Sequence, residues 1–193
     1  MIETILTALA AAVFGYGVAR RRADLSLRPV RVAALSAALC APVAMALTGA
    51  GADREALLLF AALAPLAVID AERMILPDDL TVPLITFGPI LGFLEGDGWS
   101  RVFGAILGYF ALRTFSLFWR VEAMGKGDAK LFAAIGGFLG WAALPSVAFL
   151  GAAGAVVFAF LRHGPAARGA AIPFGPALIA GALATVLFGP LFG

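Results

Sequence analysis

Two aspartates, Asp70 and Asp128, stand at the ends of apolar segments in a 193-residue chain that is 62% hydrophobic and keeps almost every other charge in short connections. A carboxyl at membrane depth costs roughly 2.5 to 3.5 kcal/mol even on lenient insertion scales, which makes it a functional-site hypothesis by default. Each lies in a distinctive context: Ile69-Asp70-Ala71-Glu72-Arg73-Met74-Ile75-Leu76-Pro77-Asp78-Asp79-Leu80-Thr81, and Met124-Gly125-Lys126-Gly127-Asp128-Ala129-Lys130-Leu131. Read as one pair, they suit peptide hydrolysis without a metal. Two carboxyls a few ångströms apart do not both ionise comfortably, so they share a proton. One then acts as general base on a water, and the other, as acid, protonates the scissile carbonyl and later the leaving amine. Either aspartate fits either role.

Four neighbours are candidate substrate-binding or site-shaping residues: Gly125, Gly127, Glu72 and Asp78. Glycines beside a carboxylate permit backbone conformations and close approaches that a side chain would block. The plainer reading of Gly125 and Gly127 is a turn, and Asp128 also fits as N-cap of the helix that follows. Pro77-Asp78-Asp79 before an apolar run has the form of a helix start, with capping the preferred role of Asp78 or Asp79. Glu72, Asp78, Asp79 and Glu122 together could attract a basic peptide, or serve as solvated surface charge. Lys126 and Lys130 fit interfacial snorkelling, and Trp141 an interfacial anchor. The single Cys40 and single His163 lie far apart, so neither a metal-ligand cluster nor a Ser-His-Asp arrangement is expected. Cys40 reads as a small buried hydrophobe and His163 as a loop residue. No cofactor and no nucleic-acid partner are implied.

The elements that must carry these residues follow from composition. A mean hydropathy of +1.00 with 13% charged residues demands lipid as solvent, and the absence of strand alternation leaves helices. The expected fold is all-α: a polytopic transmembrane bundle of about eight helices in one domain, 1–193. Breaks at charged or Pro/Gly-rich positions place the spans near Ile2–Ala19, Val30–Leu47, Ala56–Asp70, Leu80–Leu94, Val102–Phe118, Ala129–Leu144, Pro145–Leu161 and Ile172–Leu191, with a turn at Leu144-Pro145-Ser146. Basic residues test that count. Arg20, Arg21, Arg22, Arg28, Arg31, Arg73, Arg120, Lys126, Lys130, Arg162 and Arg168 fall on one side, against Arg54 and Arg101 on the other. By the positive-inside rule both aspartates face the cytoplasm and both termini lie outside it. The first span has its basic residues after the apolar stretch and reads as an uncleaved anchor.

These blocks resemble the prepilin peptidases, membrane aspartic proteases that process type IV prepilins and the pseudopilins of type II secretion. The matches are Ile69-Asp70 with Leu76-Pro77-Asp78 and Leu80-Thr81; Arg120 with Met124-Gly125-x-Gly127-Asp128-x-Lys130-Leu131; Gly140-Trp141; and Ile172-Pro173-Phe174-Gly175-Pro176. The glycine-aspartate element is also similar to that of presenilin-type intramembrane proteases. The resemblance implies that Asp70 and Asp128 are the catalytic pair, that the protein sits in a bacterial cytoplasmic membrane, and that its partners are prepilins or pseudopilins: a short basic leader, then an apolar helix. Many members also carry a cysteine-bearing insert between the first two helices and methylate the new N-terminus. Here that connection is only Arg20 to Arg31 and lacks cysteine, so peptidase activity alone is expected. A proton-coupled transporter would need polar residues near mid-bilayer and repeated halves, and neither is present. A non-catalytic scaffold should have lost one aspartate, and both remain.

Overall fold

The computed structural model describes residues 1–22, 28–118, 125–163 and 173–192. Eight α-helices lie among them: α1 (Ile2–Arg21), α2 (Pro29–Gly49), α3 (Arg54–Arg73), α4 (Asp78–Glu95), α5 (Gly98–Phe118), α6 (Lys126–Leu139), α7 (Leu144–His163) and α8 (Gly175–Phe188). The all-α bundle of about eight helices is therefore the observed architecture. Arg120, Glu122, Met124, Arg168 and Ile172 lie outside the described residues.

Short connections make sequence neighbours pack side by side, as in α1 on α2, α5 on α6 and α7 on α8. The helices divide by how much of their surface is covered. In α3 every residue from Leu59 to Asp70 is buried, and in α6 every residue from Asp128 to Phe138 except Lys130 is. A helix apolar all round belongs inside a bundle, and α3 packs against α1, α2, α8, α4 and α6. The perimeter helices instead expose apolar side chains, among them Leu9 and Val13 on α1, Ile106 and Phe110 on α5, and Val156 and Phe160 on α7. In water such surfaces would aggregate; in a bilayer they face their preferred solvent. Four segments, α1, α2, α5 and Trp141–Arg162, are long and apolar enough to cross a membrane. The multi-pass membrane class thus rests on the outer helices, while the two aspartates ride on the inner ones.

Small residues set the closest crossings. A Cβ added to Gly104 of α5 would collide with the Gly136 carbonyl of α6, and one added to Gly136 with the Gly104 carbonyl. Gly88 of α4 faces the Gly137 carbonyl in the same way. Without a hydrophobic drive between helices in lipid, such backbone contact supplies the packing. Cys40 sits at 1% exposure with its thiol near the Thr7 and Phe60 carbonyls, a small buried residue.

Three expectations need correction. The break after α6 falls at Gly140, whose φ of 78° ends the helix, followed by a single 3-10 turn over Trp141–Ala143. Pro145 lies in the first turn of α7, where its missing N–H costs nothing, and is not the turn itself. His163 is the last residue of α7, not a loop residue. Arg101, expected just before a span, lies within α5 at 6% exposure and pairs with Glu55 of α3, Glu95 of α4 and Asp97. Partners on three sides compensate a buried guanidinium that would otherwise be prohibitively costly.

Candidate active site

Asp70 lies one turn before the C-terminal end of α3, where four residues later Met74 takes a left-handed conformation (φ 55°) and donates its N–H to the Asp70 carbonyl at 2.8 Å. That conformation is uncommon for a side chain such as methionine and terminates the helix abruptly. Asp70 is only 4% exposed, and its Oδ2 accepts the main-chain N–H of Gly175 at 3.0 Å. Gly175 is the first residue of α8, so the carboxylate faces the positive end of a helix.

Asp128 repeats the arrangement within its own helix. Gly125 occupies the N-cap position of α6, and Asp128, three residues on, turns back so that its Oδ2 accepts the Gly125 N–H at 3.0 Å. The Asp128 N–H in turn donates to the Gly125 carbonyl at 3.2 Å. Asp128 is thus not the N-cap itself but the third-residue acid that reaches back to it. Asp128 is 7% exposed, and Asp70 is close enough to act on it electrostatically. The two carboxyls, 58 positions apart in numbering, therefore lie at the same end of the bundle and within electrostatic reach of each other.

Gly127 explains why the two sequence blocks meet. A Cβ there would lie 3.0 Å from the Cβ of buried Leu76, so the side chain's absence lets the Leu76-Pro77 turn pack against the start of α6. Among the described residues Gly125 is less constrained, since the nearest atom to an added Cβ is Asp128 Oδ2 at 3.8 Å.

The surrounding acids are engaged in ion pairs that staple helices. Asp78 of α4 accepts from Lys130 of α6 at 2.6 Å, Asp79 from Arg22 after α1 at 2.7 Å, and Glu72 of α3 pairs with Arg31 of α2 at 3.3 Å. Neither Asp78 nor Asp79 caps α4: its N-cap is Pro77, with no side-chain cap bond, and Asp78 is the first helical residue. Lys130 likewise pairs with Asp78 rather than only reaching for the interface. Half-exposed pairs of this kind contribute up to about 1 kcal/mol each. Among the described residues, no group of three or more His, Cys, Asp or Glu side chains is placed to hold a metal ion.

One participant was not singled out as a site residue: Gly175. Its signal was present, since glycine followed by Pro176 is a helix start offering one N–H and then none, but nothing in the sequence says which carboxylate that N–H meets. Beside it, an apolar cavity of about 390 Å³ is lined by Ala71, Gly154, Phe158, Pro173, Pro176 and Ala177, among others.

The fold and site together define a polytopic all-α membrane protein with two buried carboxyls at one end of its inner helices. The chain belongs to the type IV leader peptidase family, whose pattern matches residues 57–160. It is 38% identical over 180 residues to the prepilin leader peptidase/N-methyltransferase of Aeromonas salmonicida, covering 87% of this chain and 60% of that protein. To the proteins of the same name from Burkholderia pseudomallei and Escherichia coli it is 40% identical over 167 residues and 34% over 161. Those matches cover 82% of this chain and 54% of the Burkholderia protein, and 79% and 68% for the Escherichia protein. The chain thus spans about 60% of the length of the Aeromonas relative. No solved structure matches it.

Proposed function

We propose that the chain is an aspartic endopeptidase that removes the short basic leader of type IV prepilins or pseudopilins at the cytoplasmic membrane boundary, with Asp70 and Asp128 as the catalytic pair. The observation that carries this reading is the placement of two buried carboxyls at the same end of the inner helices, within electrostatic reach of each other. Like charges so placed share one proton, which supplies a base for the water and an acid for the leaving amine from the same pair. Each carboxyl accepts a main-chain N–H, so part of its orientation is set by backbone.

The end that bears the pair also bears Arg22, Arg28, Arg31, Arg73, Lys126, Lys130 and Arg162, and the opposite end bears Arg54 and Arg101. That asymmetry supports the cytoplasmic assignment. A substrate with a basic leader inside and an apolar helix in the bilayer presents its junction at that depth, and the apolar cavity beside Asp70 suits the first apolar residues after the cut.

The test is co-expression of the chain with candidate prepilins while leader removal is followed by mass. Asp70→Asn and Asp128→Asn should each lower cleavage by at least about 10³-fold, with membrane insertion and thermal unfolding preserved, because each leaves a pair that cannot supply both acid and base. Near-normal cleavage by either variant would exclude the pair.

A further inference from the structure

The N-terminus of α8 has no cap of its own. Phe174 stands in the N-cap position without a side-chain bond, and Pro176, second in the helix, has no N–H to offer. Of the first N–H groups of this helix, which lack intrahelical partners, that of Gly175 is satisfied by Asp70 Oδ2 at 3.0 Å, from a residue 105 positions earlier. The approach depends on the missing side chain: a Cβ on residue 175 would lie 2.6 Å from that same oxygen and 3.1 Å from the carboxyl carbon. Asp70 Cβ would stand 3.5 Å away, so the collision is with the carboxyl group itself.

From this we infer that Gly175 is a positioning residue for the reaction: its main-chain N–H, presented by α8, fixes the Asp70 carboxyl in the orientation used against Asp128, and its lack of a side chain keeps that orientation open. The inference rests on the proposed function, in which Asp70 touches the reacting atoms. It also gives α8 a task that no side chain on it performs. Among the described residues, Asp128 has the equivalent donor from its own helix in Gly125, whereas Asp70, at the C-terminal end of α3, obtains its donor from another element.

Two measurements test it. In the first, kinetics of Gly175→Ala are compared with the unaltered chain on a prepilin in detergent. Displacing the carboxyl by about an ångström should lower kcat about 10- to 100-fold, with KM within about threefold, because the altered contact is with the Asp70 carboxyl rather than with the apolar cavity. A wild-type kcat, or a loss confined to KM, would overturn the assignment. In the second, the Gly175 amide resonance is followed by NMR in the full chain carrying Asp70→Ala or Asp128→Ala. Loss of the carboxylate acceptor should move it upfield in Asp70→Ala and leave it in place in Asp128→Ala; no movement in Asp70→Ala would overturn the assignment even if Gly175→Ala failed to fold. Cleavage by the unaltered chain is measured first. Its absence would defeat the proposed function, whereas cleavage by the unaltered chain with an unimpaired Gly175→Ala defeats only this inference.

Discussion

Gly125 and Gly127 flank Lys126 symmetrically in sequence but are not equivalent in space. Residue 127 abuts Leu76, with 3.0 Å between an added Cβ and the Leu76 Cβ, whereas among the described residues the closest approach to an added Cβ at 125 is 3.8 Å. Gly127→Ala must therefore push the Leu76-Pro77 turn or the start of α6 by a few tenths of an ångström, and Asp128 moves with it. Leader-cleavage rates should fall about tenfold for Gly127→Ala and less than about threefold for Gly125→Ala. Glu72→Gln should matter less still, because the ion pair of Glu72 with Arg31 is largely solvated, the Arg31 side chain being 66% exposed. Its cleavage rate should stay within about twofold of the unaltered chain, since exposed pairs contribute little. A large rate loss in Glu72→Gln would mean that this acid contacts the leader directly.

At the scale of elements, the residue that ties the helices together at the far end is Arg101. It joins α3 through Glu55, α4 through Glu95 and the connection before α5 through Asp97 at 2.9 Å, while buried at 6% exposure. Because α3 carries Asp70 and α5 packs along α6, which carries Asp128, the cluster holds both inner helices in register from the end opposite the site. Removing the guanidinium leaves Glu55, whose side chain is 17% exposed, without its partner. Arg101→Met should destabilise the bundle by about 3 kcal/mol, read from thermal or denaturant unfolding in detergent. Arg101→Lys should recover only part, since a single ammonium cannot reproduce the spread of the guanidinium fork. An Arg101→Met variant as stable as the parent would show the cluster to be dispensable.

For the whole molecule, the alternation of helix direction places Ala71 at the end with the carboxyls and Trp99 at the other. In a Cys40→Ala background, cysteine at Ala71 should label from the cytoplasmic side and cysteine at Trp99, 77% exposed in the parent, from the opposite side. The reverse pattern would sink the account of how a cytoplasmic leader reaches the pair. The connection between α1 and α2 spans only residues 22–28 and holds no cysteine. We therefore expect cleavage to survive strong chelators and the purified chain to transfer no methyl group from S-adenosylmethionine to a cleaved pilin. Label on the new N-terminal amine would show that these helices methylate after all.

Composition alone determined the solvent and the helix class, because 62% apolar residues in long runs admit no other way to satisfy the backbone in lipid. The eight helices and the positions of Asp70 and Asp128 at helix ends were legible for the same reason: charge marks where apolar periodicity stops. The resemblance to prepilin peptidases was legible in separated blocks, since local motifs survive in the linear order. What sequence could not decide was which buried helix end meets which. The partners of Asp78 and Asp79 came out as Lys130 and Arg22 rather than their own helix N-terminus, because an ion pair across elements competes with a local cap that spacing alone suggests. The end of α6 fell to Gly140 rather than Pro145, because a positive φ stops a helix whereas a proline in its first turn starts one. Gly175 acquired its role only in three dimensions, where α8 was packed against α3 and an N–H without an intrahelical partner met a carboxyl 105 residues away. Hydropathy and motif are properties of neighbours along the chain; a hydrogen bond between two helix ends depends on how all the intervening helices pack.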